Sequence, residues 1–353
     1  MSGPLLEVRN LKKHFPLQGG LFGSVTGYVH AVDGVSFTIN RGETLSLVGE
    51  SGCGKSTVGR CILRLTEPTA GEVLLDGQRI DHLSPGALRP LRQRIQIVFQ
   101  DPFSSLNPRM RVGDIIAEPI INFGLANNKN EVEDRVSGLM DRVRLPRDAM
   151  RRHPHEFSGG QRQRVGIARA LAPGPDLIIC DEAVSALDVS VKAQIVNLLA
   201  ALQDELGLAL LFISHDLAIV EHVTHRVAVM YLGKIVEISD RRTLFASPQH
   251  PYTRALLSAV PVPDPSVRRD RIVLRGDVPS PINPPPGCRF HTRCPFVFDP
   301  CRTAAPSLRP IGKTEQLVAC HLSSDAAFGQ SNAAQLQTAA ASKNAPLHGQ
   351  KRD

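Results

Sequence analysis

Apolar residues are interspersed with polar ones over residues 5–15 (Leu-Leu-Glu-Val-Arg-Asn-Leu-Lys-Lys-His-Phe) and again over 29–39. Both stretches read as β segments, with a Gly-rich excursion at 18–27 between them. Thr44-Leu-Ser-Leu-Val48 reads as a short apolar strand, followed by a Gly-rich turn and a helical stretch from Lys55 to Leu65. Residues 71–80 read as a strand pair turning at Asp76-Gly77, the strongest short hairpin signal. Arg94–Phe99 is another expected strand, and from about 101 to 175 the pattern turns helical, amphipathic over Glu131–Val143. Strand character returns at Leu177–Cys180. Val191, Ile195, Leu198, Leu199 and Leu202 then recur at helical spacing, with Ser190 placed to cap. Leu208–Ile213 follows as a buried-type strand and Val227–Ile238 as a further β segment. Strands alternating with helices predict an α/β core with a largely parallel sheet, interrupted by a helical insertion.

Composition bounds this picture. The chain has 353 residues, 42% of them hydrophobic, enough for about two domains and a large core. That excludes a wholly disordered or fibrous protein. The best apolar run, Leu208–Ile213, falls far short of the ~18 residues of a membrane span. The N-terminal residues lack the basic and apolar regions of a signal peptide, so a soluble cytosolic chain is expected. Its 41 Lys+Arg against 34 Asp+Glu give a net charge of +7, a balance that nucleic acid, anionic lipid or a nucleotide polyphosphate would all tolerate. Arg268-Arg269-Asp270-Arg271 reads as a solvated segment. Beyond Pro261 the composition changes, with Pro279, Pro281 and Pro284-Pro285-Pro286 preceding a group of cysteines. After Leu322 the chain is Ala/Ser/Gln/Asn-rich, which predicts a disordered tail. The expected organisation is therefore a first domain over 1–260, with its helical part at about 101–175, a small second domain over 261–322, and a tail over 323–353.

The chemistry starts at Gly49-Glu50-Ser51-Gly52-Cys53-Gly54-Lys55-Ser56-Thr57, which fits G-x-x-x-x-G-K-[ST] between an expected strand and an expected helix. Glycines let the backbone curl so that successive N–H groups face phosphate oxygens, and the helix N-terminus adds positive potential. Lys55 reaches the β/γ-phosphates and Ser56 ligates Mg²⁺ in such a loop. An apolar strand ending in two carboxylates, Leu177-Ile-Ile-Cys-Asp181-Glu182, supplies the second acidic feature. Asp181 is placed to hold Mg²⁺ directly or through water, and Glu182 to orient and deprotonate an attacking water.

Other pieces follow in order: Gln100 at a strand end, Ser158-Gly159-Gly160-Gln161 before a helical run (Val165–Leu171), Ser185-Ala-Leu-Asp188, and His215 in Ile-Ser-His-Asp. The Ser158 segment crowns a helix N-terminus and so offers a second anion site. This order resembles the nucleotide-binding subunits of ABC transporters over about residues 5–260. More narrowly it resembles the ATPases of oligopeptide/dipeptide (nickel, glutathione) importers, especially the second ATPase subunit of dipeptide systems. That likeness rests on Ile97-Val-Phe-Gln-Asp-Pro-Phe-Ser-Ser-Leu-Asn-Pro-Arg109, Ser185–Val191, His250-Pro-Tyr-Thr-Arg-Ala-Leu-Leu257 and Pro-Ser-Pro-Ile-Asn-Pro-Pro-Pro-Gly-Cys288.

The resemblance implies an ABC-type P-loop fold with a mixed sheet core, a helical subdomain and a small Cys-containing C-terminal domain. It implies that Phe15 stacks on adenine, Gln100 touches Mg²⁺ and the attacking water, and His215 contacts the γ-phosphate. Ser158, Gly159, Gly160 and Gln161 would bind the nucleotide of an opposing subunit, and Asp188 would link the two sites. Three departures from the family pattern are Phe157 for Leu, Ala183 for Pro and Phe15 for Tyr; each keeps a similar volume or the functional group.

Cys288, Cys294, Cys301 and Cys320 crowd the C-terminal region, while Cys53, Cys61 and Cys180 are scattered. In a cytosolic protein disulfides are disfavoured. Four thiolates suit Zn²⁺ or an iron–sulfur cluster, and buried thiols are the plain alternative; the spacing matches neither zinc ribbons nor ferredoxin runs. The resemblance tips the expectation to a [4Fe–4S] cluster, with Zn²⁺ second.

The function expected is the ATP-hydrolysing motor of an importer of peptides. Its partners would be transmembrane permease subunits, a related second ATPase chain and an extracytoplasmic solute-binding protein, at the cytoplasmic face of the inner membrane. An ABC-type protein acting on nucleic acid or ribosomes usually carries paired cassettes or long coiled coils. One phosphate loop and no sustained heptads argue against it, so nucleic acid is not expected as a partner. A P-loop kinase would lack Ser158-Gly-Gly-Gln161.

Overall fold

The computed structural model describes residues 3–19, 24–260, 271–312 and 315–323. The tail expected over 323–353 and the arginine-rich stretch at 268–270 fall almost wholly outside them. The chain begins with β1 (Leu6–Gly19), β2 (Ser24–Ile39), β3 (Thr44–Val48), α1 (Lys55–Ile62), β4 (Ala70–Leu75) and β5 (Gln78–Arg79). Then come α2 (Pro85–Arg94), β6 (Ile95–Val98), α3 (Pro102–Ser105), α4 (Val112–Asn122), α5 (Lys129–Arg142) and α6 (Gly159–Leu171). Next are β7 (Leu177–Asp181), α7 (Val189–Leu206), β8 (Ala209–Ser214), α8 (Leu217–Val223), β9 (Arg226–Tyr231) and β10 (Lys234–Asp240). The chain ends with α9 (Arg241–Ala246), α10 (Pro251–Ser258), α11 (Asp299–Thr303), β11 (Arg309–Pro310) and β12 (Leu317–Val318).

Two sheets form. An antiparallel one runs β2-β1-β4-β5, and a mixed one runs β11-β12-β10-β9-β3-β8-β7-β6. The five strands from β9 to β6 pair in parallel. These strands read as continuous apolar runs because helices or the other sheet cover both faces. Successive residues alternate between the two cores: Ile178, Cys180, Leu210 and Phe212 face one, and Ile179, Leu211 and Ile213 face the other. The first core also takes in α4–α6, so the helical insertion expected at 101–175 packs on one face of the sheet. The second holds β1, β2 and α1 on the opposite face.

Several expectations shift. The described residues of the 18–27 excursion are strand, since Gln18 pairs with Val25 and Gly19 with Ser24. Ser190 does not cap α7; the helix starts at Val189 with Asp188 in the cap position, and Ser190 lies inside it. The single β segment at 227–238 is two strands turning at Leu232-Gly233, both with positive φ (43° and 80°). The Asp76-Gly77 hairpin appears as expected, both residues having the positive φ (52° and 79°) that a type I′ turn requires.

The C-terminal segment is tied into this framework. β12 extends the mixed sheet by pairing with β10. Phe290 is buried in the first core, against which Cys288 and Cys294 also pack. Among the described residues no helix is long and apolar enough to cross a membrane.

Candidate functional site

Four neighbouring parallel strands, β3, β8, β7 and β6, end on the same edge of the sheet, and the candidate residues sit at those ends. The phosphate loop follows β3, Asp181 closes β7, His215 follows β8, and Gln100 follows β6. Carboxyl ends of parallel strands are where open α/β sheets bind ligands, because helix N-termini and loop amides converge there.

The loop needs its glycines for closeness as well as curvature. A Cβ on Gly54 would lie 2.0 Å from the Ala31 carbonyl oxygen, and one on Gly49 would lie 2.1 Å from that of Met230. Lys55 is buried, and its Nζ donates to the carbonyls of Gly49 and Glu50, each at 2.9 Å. Ser56 Oγ donates to Asp181 Oδ1 at 2.6 Å. Burial raises the Asp181 carboxyl above its ordinary value, opposed by the Ser56 hydrogen bond. A hydroxyl and a buried carboxylate oxygen side by side are the hard donors that suit Mg²⁺, so this pair fits that ion.

Glu182 joins the other strand ends. Gln100 Nε2 donates to Glu182 Oε2 at 3.0 Å. His215 Nδ1 lies 3.3 Å from the same oxygen. The structure thus brings Gln100, Glu182 and His215 together beside the Ser56–Asp181 pair. Phe15 stands 38% exposed on β1, its ring under Lys13 Nζ at 4.8 Å. Ser158, Gly159, Gly160 and Gln161 are not joined to the phosphate loop. Ser158 Oγ accepts from Gln161 N at 3.3 Å, and Gln161 Oε1 accepts from Ser158 N at 3.0 Å, a capping box at the start of α6. Asp188 lies exposed ahead of α7.

The sequence reading missed what holds the loop from behind. Glu50 N donates to Tyr252 Oη at 2.9 Å. Its carboxylate takes two bonds from Arg293, Nη1 to Oε2 at 2.8 Å and Nη2 to Oε1 at 3.2 Å. Tyr252 lies inside the His250–Leu257 motif noted above, so the motif was visible but its role was not. Arg293 had no such signal, standing 243 positions from its partner.

The four C-terminal thiols lie near one another. Burial pushes Cys288 up to about 11 and Cys294 up to about 12, and neighbouring cysteines add to both shifts. Their sulfurs are not packed as tightly as a single tetrahedral ion demands. Among the described residues the only three metal-binding atoms mutually within 4.8 Å belong to His14, His30 and Asp33. Asp33 is already paired with Arg289 and lies 3.9 Å from Lys234, so its charge is balanced without a metal.

Residues 32–185 match the ABC transporter family, and residues 236–301 match the oligopeptide/dipeptide transporter C-terminal region. A probable peptide ABC transporter ATP-binding protein of Sinorhizobium fredii is 55% identical over 93% of this chain and 92% of its own. An oligopeptide transport ATP-binding protein of Bacillus subtilis is 53% identical over 90% and 97%. A dipeptide transport ATP-binding protein of Escherichia coli is 52% identical over 91% and 95%. Among solved structures, a dimeric ATP-binding cassette in a post-hydrolysis state with ADP and Pi superposes with a TM-score of 0.60 at 29% identity. That match covers 67% of this chain and 99% of that one. A component of an ABC transporter complex of Clostridium perfringens matches equally well, at TM-score 0.60 and 30% identity, over 69% and 91%.

Proposed function

The chain belongs to the ATP-binding subunits of ABC transporters, in the branch carrying the oligopeptide/dipeptide transporter C-terminal region, and on that premise we propose the following reading of its site, cargo and partners. It is the ATP-hydrolysing motor of a peptide importer. The observation that carries this is the meeting at Glu182, where one carboxylate oxygen faces both Gln100 and His215, one residue from the Asp181 that holds Ser56.

ATP phosphates lie on the loop amides of residues 49–57, and Lys55 turns from the Gly49 and Glu50 carbonyls to the β/γ-phosphates. Ser56, Asp181 and Gln100 hold Mg²⁺, which when bound offsets the charge of those phosphates. Glu182 orients water and takes its proton as the water oxygen bonds to the γ-phosphorus and the bond to the ADP oxygen breaks. His215 steadies the γ-phosphate, and Phe15 stacks on the adenine. Ser158, Gly159, Gly160 and Gln161 present the start of α6 to a nucleotide on an opposing ATPase subunit, and Asp188 links the two sites. The exposure of Ser158 and Gln161, whose bonds run to each other rather than to the chain's own phosphate loop, supports that reading.

Residues 261–322 act as a small C-terminal cysteine domain on the ATPase unit of residues 1–260. Cys288, Cys294, Cys301 and Cys320 take a [4Fe–4S] cluster, with Zn²⁺ second. Thiol donors suit both, but Zn–S bonds of about 2.3 Å would place the sulfurs roughly 3.8 Å apart. Among the described residues no three of these sulfurs come within 4.8 Å of one another, and the choice of the cluster over zinc rests on the likeness to the peptide-importer C-terminal region. The protein sits peripherally on the cytoplasmic membrane face, with permease subunits, a second ATPase chain and a solute-binding protein as partners.

The deciding experiment is affinity purification of the intact assembly from membranes. Co-isolation of hydrophobic permease subunits and a binding protein loaded with peptide is expected. Recovery of a soluble protein bound to nucleic acid instead would overturn the reading, as would a non-peptide solute for the cargo.

A further inference from the structure

The cysteine segment reaches into the ATP site at two points, through two arginines that stand next to two of the cysteines. Arg293 precedes Cys294, and its side chain is only 8% exposed. It grips the Glu50 carboxylate with both Nη atoms, and this bond heads the causes that raise the guanidinium above its ordinary value. Arg289 follows Cys288 and is equally buried. It donates to Asp33 on β2 and to the Leu232 carbonyl in the β9–β10 turn. The next residue of that turn, Gly233, donates its N–H to the Cys53 carbonyl at 2.9 Å, inside the phosphate loop.

Between the arginines, Phe290 packs on Tyr231 and on Tyr252, with ring centroids 5.2 and 5.4 Å apart. Tyr252 itself holds Glu50 N. Backbone bonds fix the segment in turn, with Cys288 N on the Cys301 carbonyl at 2.9 Å.

Glu50 sets a physical problem that this arrangement solves. The loop around it is built to receive polyphosphate, yet it carries a carboxylate one residue after Gly49. An anion there repels the phosphates unless it is turned away and neutralised. A two-toothed guanidinium contact does both, and at low exposure water screens it little.

We propose that Arg293 is a positioning residue for the ATP site, holding Glu50 away from the incoming phosphates, and that Arg289 supports the same loop through the Leu232-Gly233 turn. The state of the thiol centre at Cys288 and Cys294 is thereby coupled to ATP affinity. This rests on the phosphate-loop reading above and extends it to the C-terminal segment.

The test measures equilibrium ATP binding to the full-length chain and the ATP KM and kcat of the purified transporter. Arg293→Ala is expected to raise both Kd and KM about tenfold, the scale of one coupled charged pair, with kcat at saturating ATP nearly unchanged. Arg293→Lys falls between, because it keeps the charge but not the two-toothed geometry. Adding Glu50→Gln to Arg293→Ala restores most of the affinity, because the carboxylate it left unbalanced is gone. A merely structural role for Arg293 predicts no such rescue.

Cys294→Ser shifts Kd in the wild-type background and adds nothing in the Arg293→Ala background. Unchanged Kd in Arg293→Ala, absence of rescue by Glu50→Gln, or full additivity of Cys294→Ser would each overturn the corresponding link. Lys55→Ala keeps the two readings apart. If it binds ATP normally the phosphate-loop reading fails; if it abolishes binding while Arg293→Ala changes nothing, only this inference fails.

Discussion

Glu182 has a φ of 49°, in the left-handed region where a non-glycine residue pays about 1–2 kcal/mol. Its neighbours hold it there. Glu182 N donates to the Ile213 carbonyl at 3.0 Å, and its own carbonyl accepts from Ser185 Oγ at 3.0 Å. The strained backbone aims the side chain at Gln100 and His215 rather than along the strand. Glu182→Gln should leave ATP binding intact and lower kcat by about 10²–10⁴-fold, the usual reach of a general base. Turnover near the wild-type rate would move the base elsewhere.

A second residue-scale expectation concerns His250, whose imidazole burial pushes down to about 3. It stays neutral and caps α10, Nδ1 accepting from Tyr252 N at 3.1 Å. The unfolded chain takes up that proton at the usual value of about 6.5. From there down to about 3 the unfolded state holds one more proton than the folded state. Stability contributed by the neutral ring is therefore complete above about pH 6.5 and lost on acidification, by up to about 1.4 kcal/mol per pH unit. His250→Asn keeps a capping acceptor and removes the titration. Melting temperatures followed downward from neutral pH should fall less steeply in that variant than in wild type.

Elements were read well where a local rule decides them and poorly where packing does. The β4–β5 hairpin and β3 follow from turn chemistry and an apolar run, and both stand where the sequence places them. The start of α7 does not, since Asp188 and Ser190 are both good caps and nothing local chooses between them. Contact with α6 bears on that junction: a Cβ on Gly160 would lie 2.4 Å from Val191 Cγ1, in the first turn of α7. Gly160→Ala should therefore cost about 1–3 kcal/mol by overpacking and lower the melting temperature. Gly159→Ala, whose nearest contact is 3.4 Å from Leu187 Cδ2, should be tolerated far better. Equal melting temperatures for the two variants would show that α7 yields freely at this contact.

For the molecule as a whole, the Ser158–Gln161 part of the proposed site is bonded within itself rather than to the chain's own phosphate loop. Ser158 and Gln161 are exposed and bonded to each other. If this helix start serves a neighbouring subunit, Ser158→Arg leaves ATP binding by the isolated chain unchanged. Turnover of the assembled transporter then falls on the order of 10²-fold or more, the usual cost of losing charge-stabilising donors. A loss of binding in the isolated chain of the same size would place Ser158 in the chain's own ATP site instead.

The sequence by itself determined the order of the chemistry. Gly49–Thr57, Gln100, Asp181-Glu182 and His215 each stand at the end of an apolar strand, and in a parallel sheet those ends are brought to one edge. Alternation and turn signals are local, so a single chain carries them in the open. Tertiary structure alone decided what stands behind the loop. Tyr252 and Arg293 reach Glu50 across 202 and 243 positions. A side-chain contact between distant residues leaves no period in either segment, and it forms only once the sheet and the C-terminal segment share one core.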